Sequence, residues 1–161
     1  MKYFSGFCLC GEKELFKEYI EDKEFVVAGF SKGAQEALDY VLNTNKRVDK
    51  LQLLSPAFFE YNEKIIELNL EAFKKDKEKY IKNFLKKAGI PDMKYICNCS
   101  FEELKKLFTF KWEKIEQIKD IKIEIFLGEY DKISASKKAY KFFKPYGDVY
   151  FIKKANHFLR S

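Results

Sequence analysis

Apolar residues follow two rhythms along this chain. Short runs bounded by charge or glycine alternate with longer segments in which apolar positions return every three or four residues. The first kind predicts strands at residues 2–7 (KYFSGF), 25–30 (FVVAGF), 50–55 (KLQLLS), 121–127 (IKIEIFL) and 148–152 (DVYFI). The run at 25–30 is apolar throughout, the pattern of a strand covered on both faces. The run at 121–127 alternates, with Ile121, Ile123 and Ile125 on one side and Lys122 and Glu124 on the other. The second kind predicts helices at 12–21, with Leu15, Phe16, Tyr19 and Ile20 on one face, at 32–43, with Ala34, Ala37, Leu38, Val41 and Leu42 inward, and at 135–143. Strands alternating with helices imply βαβ units and a mostly parallel sheet of about five strands.

Residues 58–118 break this alternation. They hold no convincing strand and are dense in Lys, Glu, Phe and Ile at helical spacing. Gly89-Ile90-Pro91-Asp92 divides them, and Ser100 with Glu103 three residues on forms a capping box. The segment reads as a helical excursion between the third and fourth strands. No internal repeat is visible.

Composition changes this picture little. The chain has 161 residues, 47% of them apolar, including 17 Phe and 10 Tyr, so a real core is available. A net charge of +6, from 31 basic and 25 acidic residues, is a modest excess. Its basic groups are interleaved with Glu and Asp, which argues against a nucleic-acid binder. No run approaches the roughly 20 apolar residues of a membrane span, and Met1 to Cys10 lacks the form of a signal peptide. A cytoplasmic location is expected. The four cysteines stand as Cys8/Cys10 and Cys97/Cys99. C-x-C is not the usual zinc-ribbon spacing, and reduced structural thiols are expected in the cytosol.

The candidate chemistry centres on Gly29-Phe30-Ser31-Lys32-Gly33, a G-x-S-x-G pentapeptide between an apolar strand and a small-residue helix. The glycines let neighbouring backbone approach a strained turn that lifts the serine hydroxyl above the sheet. The Lys32 N–H, at a helix N-terminus, then favours negative charge at the same spot. A serine nucleophile needs a base. The chain has one histidine, His157, just after the last strand. The histidine needs an orienting carboxylate. Asp131, in the loop after the fourth strand, is the choice, with Glu129 in reserve. A second oxyanion donor is expected from the loop after the first strand, Ser5-Gly6-Phe7, which assigns the backbone N–H groups of Phe7 and Lys32 as the pair.

With these residues in place the sequence resembles the α/β-hydrolase superfamily. Within it, the chain looks like the small pimeloyl-acyl-carrier-protein methyl ester esterases of the BioV type. Tyr3 to Phe7, Gly29 to Ala34, Leu54-Ser55-Pro56, Gly128 to Asp131 and Asn156-His157 carry the likeness. It implies a truncated α/β-hydrolase fold. Residues 1–57 and 119–161 would form the core, and residues 58–118 a helical lid. It also implies a serine carboxylesterase of biotin synthesis that needs no cofactor or metal. Its partner would be an acyl-carrier protein bearing a pimeloyl methyl ester, with no nucleic acid or membrane involved.

The chain departs from a full-size member of that superfamily. Ser5 stands where a histidine usually precedes the oxyanion glycine, and residues 6–30 leave room for one helix and no extra strand. Right-handed crossovers would then put every helix on one face, leaving Gln52, Lys122 and Glu124 on a half-open one. Phe58, Phe59, Phe73, Phe101, Phe108, Phe110 and Trp112 are expected as core or as an acyl tunnel. Lys82, Lys86 and Lys87, beyond the run Lys74 to Lys79, are the candidate dock for an acidic carrier. Two rivals stand beside this reading. One is a thioesterase or another small-ester serine hydrolase; the other is a non-catalytic α/β domain that binds a partner.

Overall fold

In the computed structural model, which describes residues 1–161, five strands form one parallel sheet in the order β1-β2-β3-β4-β5. These are β1 (Lys2–Phe4), β2 (Val26–Phe30), β3 (Lys50–Leu54), β4 (Lys122–Gly128) and β5 (Asp148–Ile152). Helix α1 (Lys32–Asn43) joins β2 to β3, and α5 (Ser136–Phe143) joins β4 to β5. Helices α2 (Glu63–Lys75), α3 (Lys77–Ala88) and α4 (Phe101–Thr109) lie between β3 and β4, followed by a 3-10 helix at Trp112–Gln117. Asn62, Asp76 and Ser100 cap α2, α3 and α4 through their side chains, the last as the capping-box pattern predicts. Gly89, at φ +84°, ends α3 in the left-handed conformation that glycine adopts without strain.

The register aligns Val27 with Leu51 and Ile123, and Gly29 with Leu53 and Ile125. This face packs on Ala34, Ala37 and Leu38 of α1, Ala139 and Phe143 of α5, and Trp112 and Ile115. The end of the excursion is therefore part of the main core.

The expectation of a half-open sheet is overturned. Phe16 and Tyr19 pack on the other face, against Phe30 and Phe126, and Phe158 joins them. Gln52 is 1% exposed, donating to Tyr19 O (2.9 Å) and accepting from Glu21 N (2.8 Å). The steps β1→β2 and β2→β3 run the same way across the sheet, yet their connections lie on opposite faces. The first crossover thus has the opposite hand to the second. The handedness rule derives from helices packing back on a twisted sheet, and this connection contains no long helix. The helix expected at 12–21 is instead a 3-10 helix, Glu12–Phe16, followed by turns. The reason is a long-range contact: the backbone groups of Tyr19 and Glu21 that a helix would use are taken by Gln52.

A second correction concerns the cysteines. They are not free thiols: Cys8 bonds to Cys99 and Cys10 to Cys97, with Cα separations of 4.9 and 5.8 Å, inside the disulfide range. Between them Cys97 N donates to Cys8 O (2.8 Å) and Cys10 N to Tyr95 O (2.9 Å). This ladder ties the loop after β1 to the segment before α4. The C-x-C spacing fits it, because alternate residues on two paired extended segments face each other. The bonds close loops of sequence separation 91 and 87. One such closure stabilises by about 4–5 kcal/mol, and the second, nested beside it, adds little. Reduction with excess dithiothreitol is expected to lower the melting temperature by about 10 °C; a fall below about 2 °C would contradict the pairing.

Candidate active site

Ser31 stands between β2 and α1 at φ +56°, ψ −114°, a strained conformation for a residue with a Cβ. The surrounding backbone fixes it. Ser31 N donates to Leu54 O (2.9 Å), and Ser31 O accepts from Ala34 N and Ala57 N (both 3.1 Å). The flanking glycines are required by close approach. A Cβ on Gly29 would lie 2.1 Å from Gly33 O, and one on Gly33 would lie 2.0 Å from Phe4 O. These contacts draw the end of β1 against the start of α1 and leave the serine at the tip of the turn.

His157 reaches this tip from the loop after β5. Its Nε2 lies 2.8 Å from Ser31 Oγ and its Nδ1 lies 2.7 Å from Asp131 Oδ2. Asp131 Oδ1 accepts from Ile133 N (2.7 Å) and Ser134 N (2.9 Å), so both carboxylate oxygens have a fixed partner. The side chains of His157 and Asp131 are 2% and 1% exposed. Asn156 shapes the histidine's loop, its Oδ1 accepting from Phe158 N (2.8 Å) and Arg160 N (3.3 Å). Glu129, the reserve carboxylate, is occupied elsewhere, accepting from Lys154 N (2.8 Å). The structure thus brings Ser31, His157 and Asp131 into one hydrogen-bonded chain. With both Asp131 oxygens accepting, Nδ1 carries the proton and Nε2 is free to accept from the serine hydroxyl.

Of the two expected oxyanion donors, Lys32 directly follows Ser31, and Phe7 lies in the loop after β1, whose Ser5 carbonyl borders Gly33. Lys32 opens α1, where backbone N–H groups have no partner within the helix. Phe7 turns its ring into the helical excursion, against Phe73 and Phe84, and its N–H donates to no other group of the protein. The Lys32 ammonium pairs with Glu36 and, at 3.9 Å, with Glu103 of α4. Gln35 spans the same seam, donating to Ala57 O (3.0 Å) and to Leu107 O (3.1 Å).

No protein-family model and no curated protein matches the sequence. Solved structures match its fold. An esterase from Exiguobacterium antarcticum, EaEST, superposes with a TM-score of 0.63 at 16% identity, covering 82% of this chain and 59% of its own. This chain therefore spans less than two thirds of that esterase. BioG from Haemophilus influenzae superposes with a TM-score of 0.62 at 14% identity, covering 98% of this chain and 87% of its own. MenH from S. aureus gives 0.62 at 13% identity, over 96% and 85%. The fold is that of the α/β-hydrolases.

In this trimmed form of the fold, the excursion between β3 and β4 covers the end of the sheet that carries Ser31. A cavity of about 390 Å³ opens in it, lined by Phe59, Tyr61, Tyr80, Phe84, Phe108 and Ile133, with Lys75, Lys79 and Lys87 also on its wall. Ile133 belongs to the turn that holds Asp131. Burial pushes the Tyr80 hydroxyl well above the usual phenol range, so it stays neutral and donates to Asn69 Oδ1 (2.8 Å). Of the aromatics expected as core or tunnel, Phe59 and Phe108 line this cavity. Phe58 and Trp112 are in the main core, with Phe110 packed against them, and Phe73 and Phe101 pack together in the helical excursion. Lys82, Lys86 and Lys87 project from α3 to solvent without ion-pair partners.

Sequence reasoning missed Glu12. It falls on the apolar face of the expected helix, three and four residues before Leu15 and Phe16, and it is fully buried beneath the loop of Phe7. A charged side chain directly after Gly11, at φ +75°, was the available signal that the chain turns inward there.

Proposed function

We propose that the chain is a serine carboxylesterase acting on the methyl ester of a pimeloyl-acyl-carrier protein, releasing the free acid and methanol. The observation that carries the reading is the hydrogen-bonded chain Asp131–His157–Ser31 on a strained turn. As Ser31 Oγ attacks the ester carbonyl, His157 Nε2 takes its proton, and Asp131 stabilises the imidazolium that forms. The carbonyl oxygen becomes an oxyanion facing the Phe7 and Lys32 N–H groups. Collapse breaks the bond to methoxide, which leaves as methanol with the proton from His157. A water, deprotonated by His157, then attacks the acyl-enzyme, and the serine regains its proton as the acid departs. The residues supply every proton transfer, so the scheme needs no cofactor.

Three features support the choice of substrate. The resemblance to BioV-type esterases spans the loop after β1, the serine turn and the histidine loop. The aromatic cavity beside the Asp131 turn suits a short acyl chain. Lys82, Lys86 and Lys87, exposed on α3, offer an acidic carrier protein a dock, and Lys87 also reaches the cavity wall. Reversing their charge is expected to raise KM for the carrier-bound ester roughly tenfold at low salt while leaving a free short ester unchanged. Equal effects on both would refute the dock. A cytoplasmic location follows from such a partner; the two disulfides argue for an oxidising setting, and trapping the thiols in cells decides between them. The substrate itself is tested by offering the purified protein methyl-pimeloyl-carrier protein. Methanol release supports the esterase, and release of the carrier thiol supports a thioesterase instead.

A further inference from the structure

We infer that Glu12 is a positioning residue, which sets the direction of the Phe7 N–H in the oxyanion site. The inference rests on the reading of Ser31 as nucleophile.

Glu12 is 0% exposed and has no cationic partner. Burying a carboxylate is costly unless donors replace the lost water. Two do so, both on one oxygen: Oε1 accepts from Gly6 N and from Tyr3 OH, each at 3.0 Å. The other oxygen, Oε2, is buried without a partner. A site arranged only for stability would satisfy both oxygens or use an apolar side chain. Burial and the adjacent carboxylate push the Tyr3 hydroxyl well above its ordinary range, so it remains a donor.

The geometry of the loop explains what this arrangement achieves. Glu12 fixes the N–H of Gly6, and Leu9 N fixes the Gly6 carbonyl at 3.2 Å. The Gly6 carbonyl and the Phe7 N–H belong to one planar trans peptide and point in opposite directions. Holding Gly6 at both ends therefore aims the Phe7 N–H. Gly6 has no slack on its other side, since a Cβ there would lie 2.7 Å from the ring of Phe30, the residue before the nucleophile.

The test uses hydrolysis of p-nitrophenyl acetate, with active sites counted by fluorophosphonate titration. Glu12→Gln keeps the accepting oxygen and loses the charge; Glu12→Asp keeps the charge and withdraws the oxygen by one methylene. The Gln variant is expected to stay within about threefold of wild type in kcat. The Asp variant is expected to lose about 10- to 100-fold in kcat with KM nearly unchanged, because a 1 Å misplacement of an oxyanion donor costs on that order. Wild-type kcat in the Asp variant overturns the inference. So does a loss in the Gln variant equal to or greater than that in the Asp variant, which would assign the effect to charge or to folding. If wild type and Ser31→Ala hydrolyse the ester equally, it is the nucleophile reading that fails, before Glu12 is tested at all.

Discussion

Replacing Ser31 by Ala is expected to lower kcat on a short ester by about 10⁶-fold while leaving the fold intact. Alanine at this position has the same backbone preferences as serine, so the strained turn at φ +56° is neither relieved nor worsened. Only the hydroxyl is lost, and with it the covalent route. Because Ser31 and His157 act as one unit, the double variant Ser31→Ala/His157→Ala should be no slower than either single variant. Additive losses would mean that the 2.8 Å contact between the two side chains is not used in the reaction.

Asp131→Asn is expected to cost about 10⁴-fold in kcat, and the structure dictates how. The Oδ1 of Asp131 accepts from Ile133 N and Ser134 N, so an asparagine must place its carbonyl there. Its NH₂ group then faces His157 Nδ1, where Asp131 Oδ2 now lies at 2.7 Å. An NH₂ donor requires Nδ1 to be unprotonated. The proton moves to Nε2, which then points a donor at Ser31 Oγ and can no longer take its proton. The fold should be unchanged, since the two backbone bonds survive. Activity within tenfold of wild type would show that His157 does not depend on this carboxylate for its tautomer.

Much of this site was legible in the residues because its parts are local. G-x-S-x-G carries its own geometry: both glycines are forced by backbone contacts within a few residues of the serine or by the adjacent strand end. The single histidine left no choice of base. The strands at β2, β3 and β5 were legible to within a residue or so, because apolar runs bounded by charge and glycine have few other readings. What the sequence hid was long-range. Gln52 looks like a residue for an open face, but its amide is committed to Tyr19 and Glu21 on a connection of unusual hand. The cysteine pairs look like free thiols until the loop after β1 meets the segment before α4, 87 and 91 residues away. Glu12 stands on the apolar face of the expected helix, but its spacing does not reveal that Gly6 and Tyr3 supply its donors. For Gln52 and the cysteines the partner lies outside the window over which periodicity carries information; for Glu12 the partners are near in sequence but sit in a non-periodic loop.

These features place the stability and the chemistry on one loop. Residues 5–12 hold the Phe7 N–H, the buried Glu12 and two cysteines that tie the helical excursion to the core. Substitutions there are expected to couple the helical excursion and the site, whereas Ala37 and Leu38 of α1 and Ala139 and Phe143 of α5 pack in the core.

The central claim is that Ser31 is an activated nucleophile. Labelling the folded protein with a fluorophosphonate and locating the adduct by peptide mass spectrometry tests it most directly. A single adduct on Ser31 is predicted, absent in Ser31→Ala and formed far more slowly in His157→Ala. An unlabelled protein, or an adduct on another residue that persists in Ser31→Ala, would contradict it.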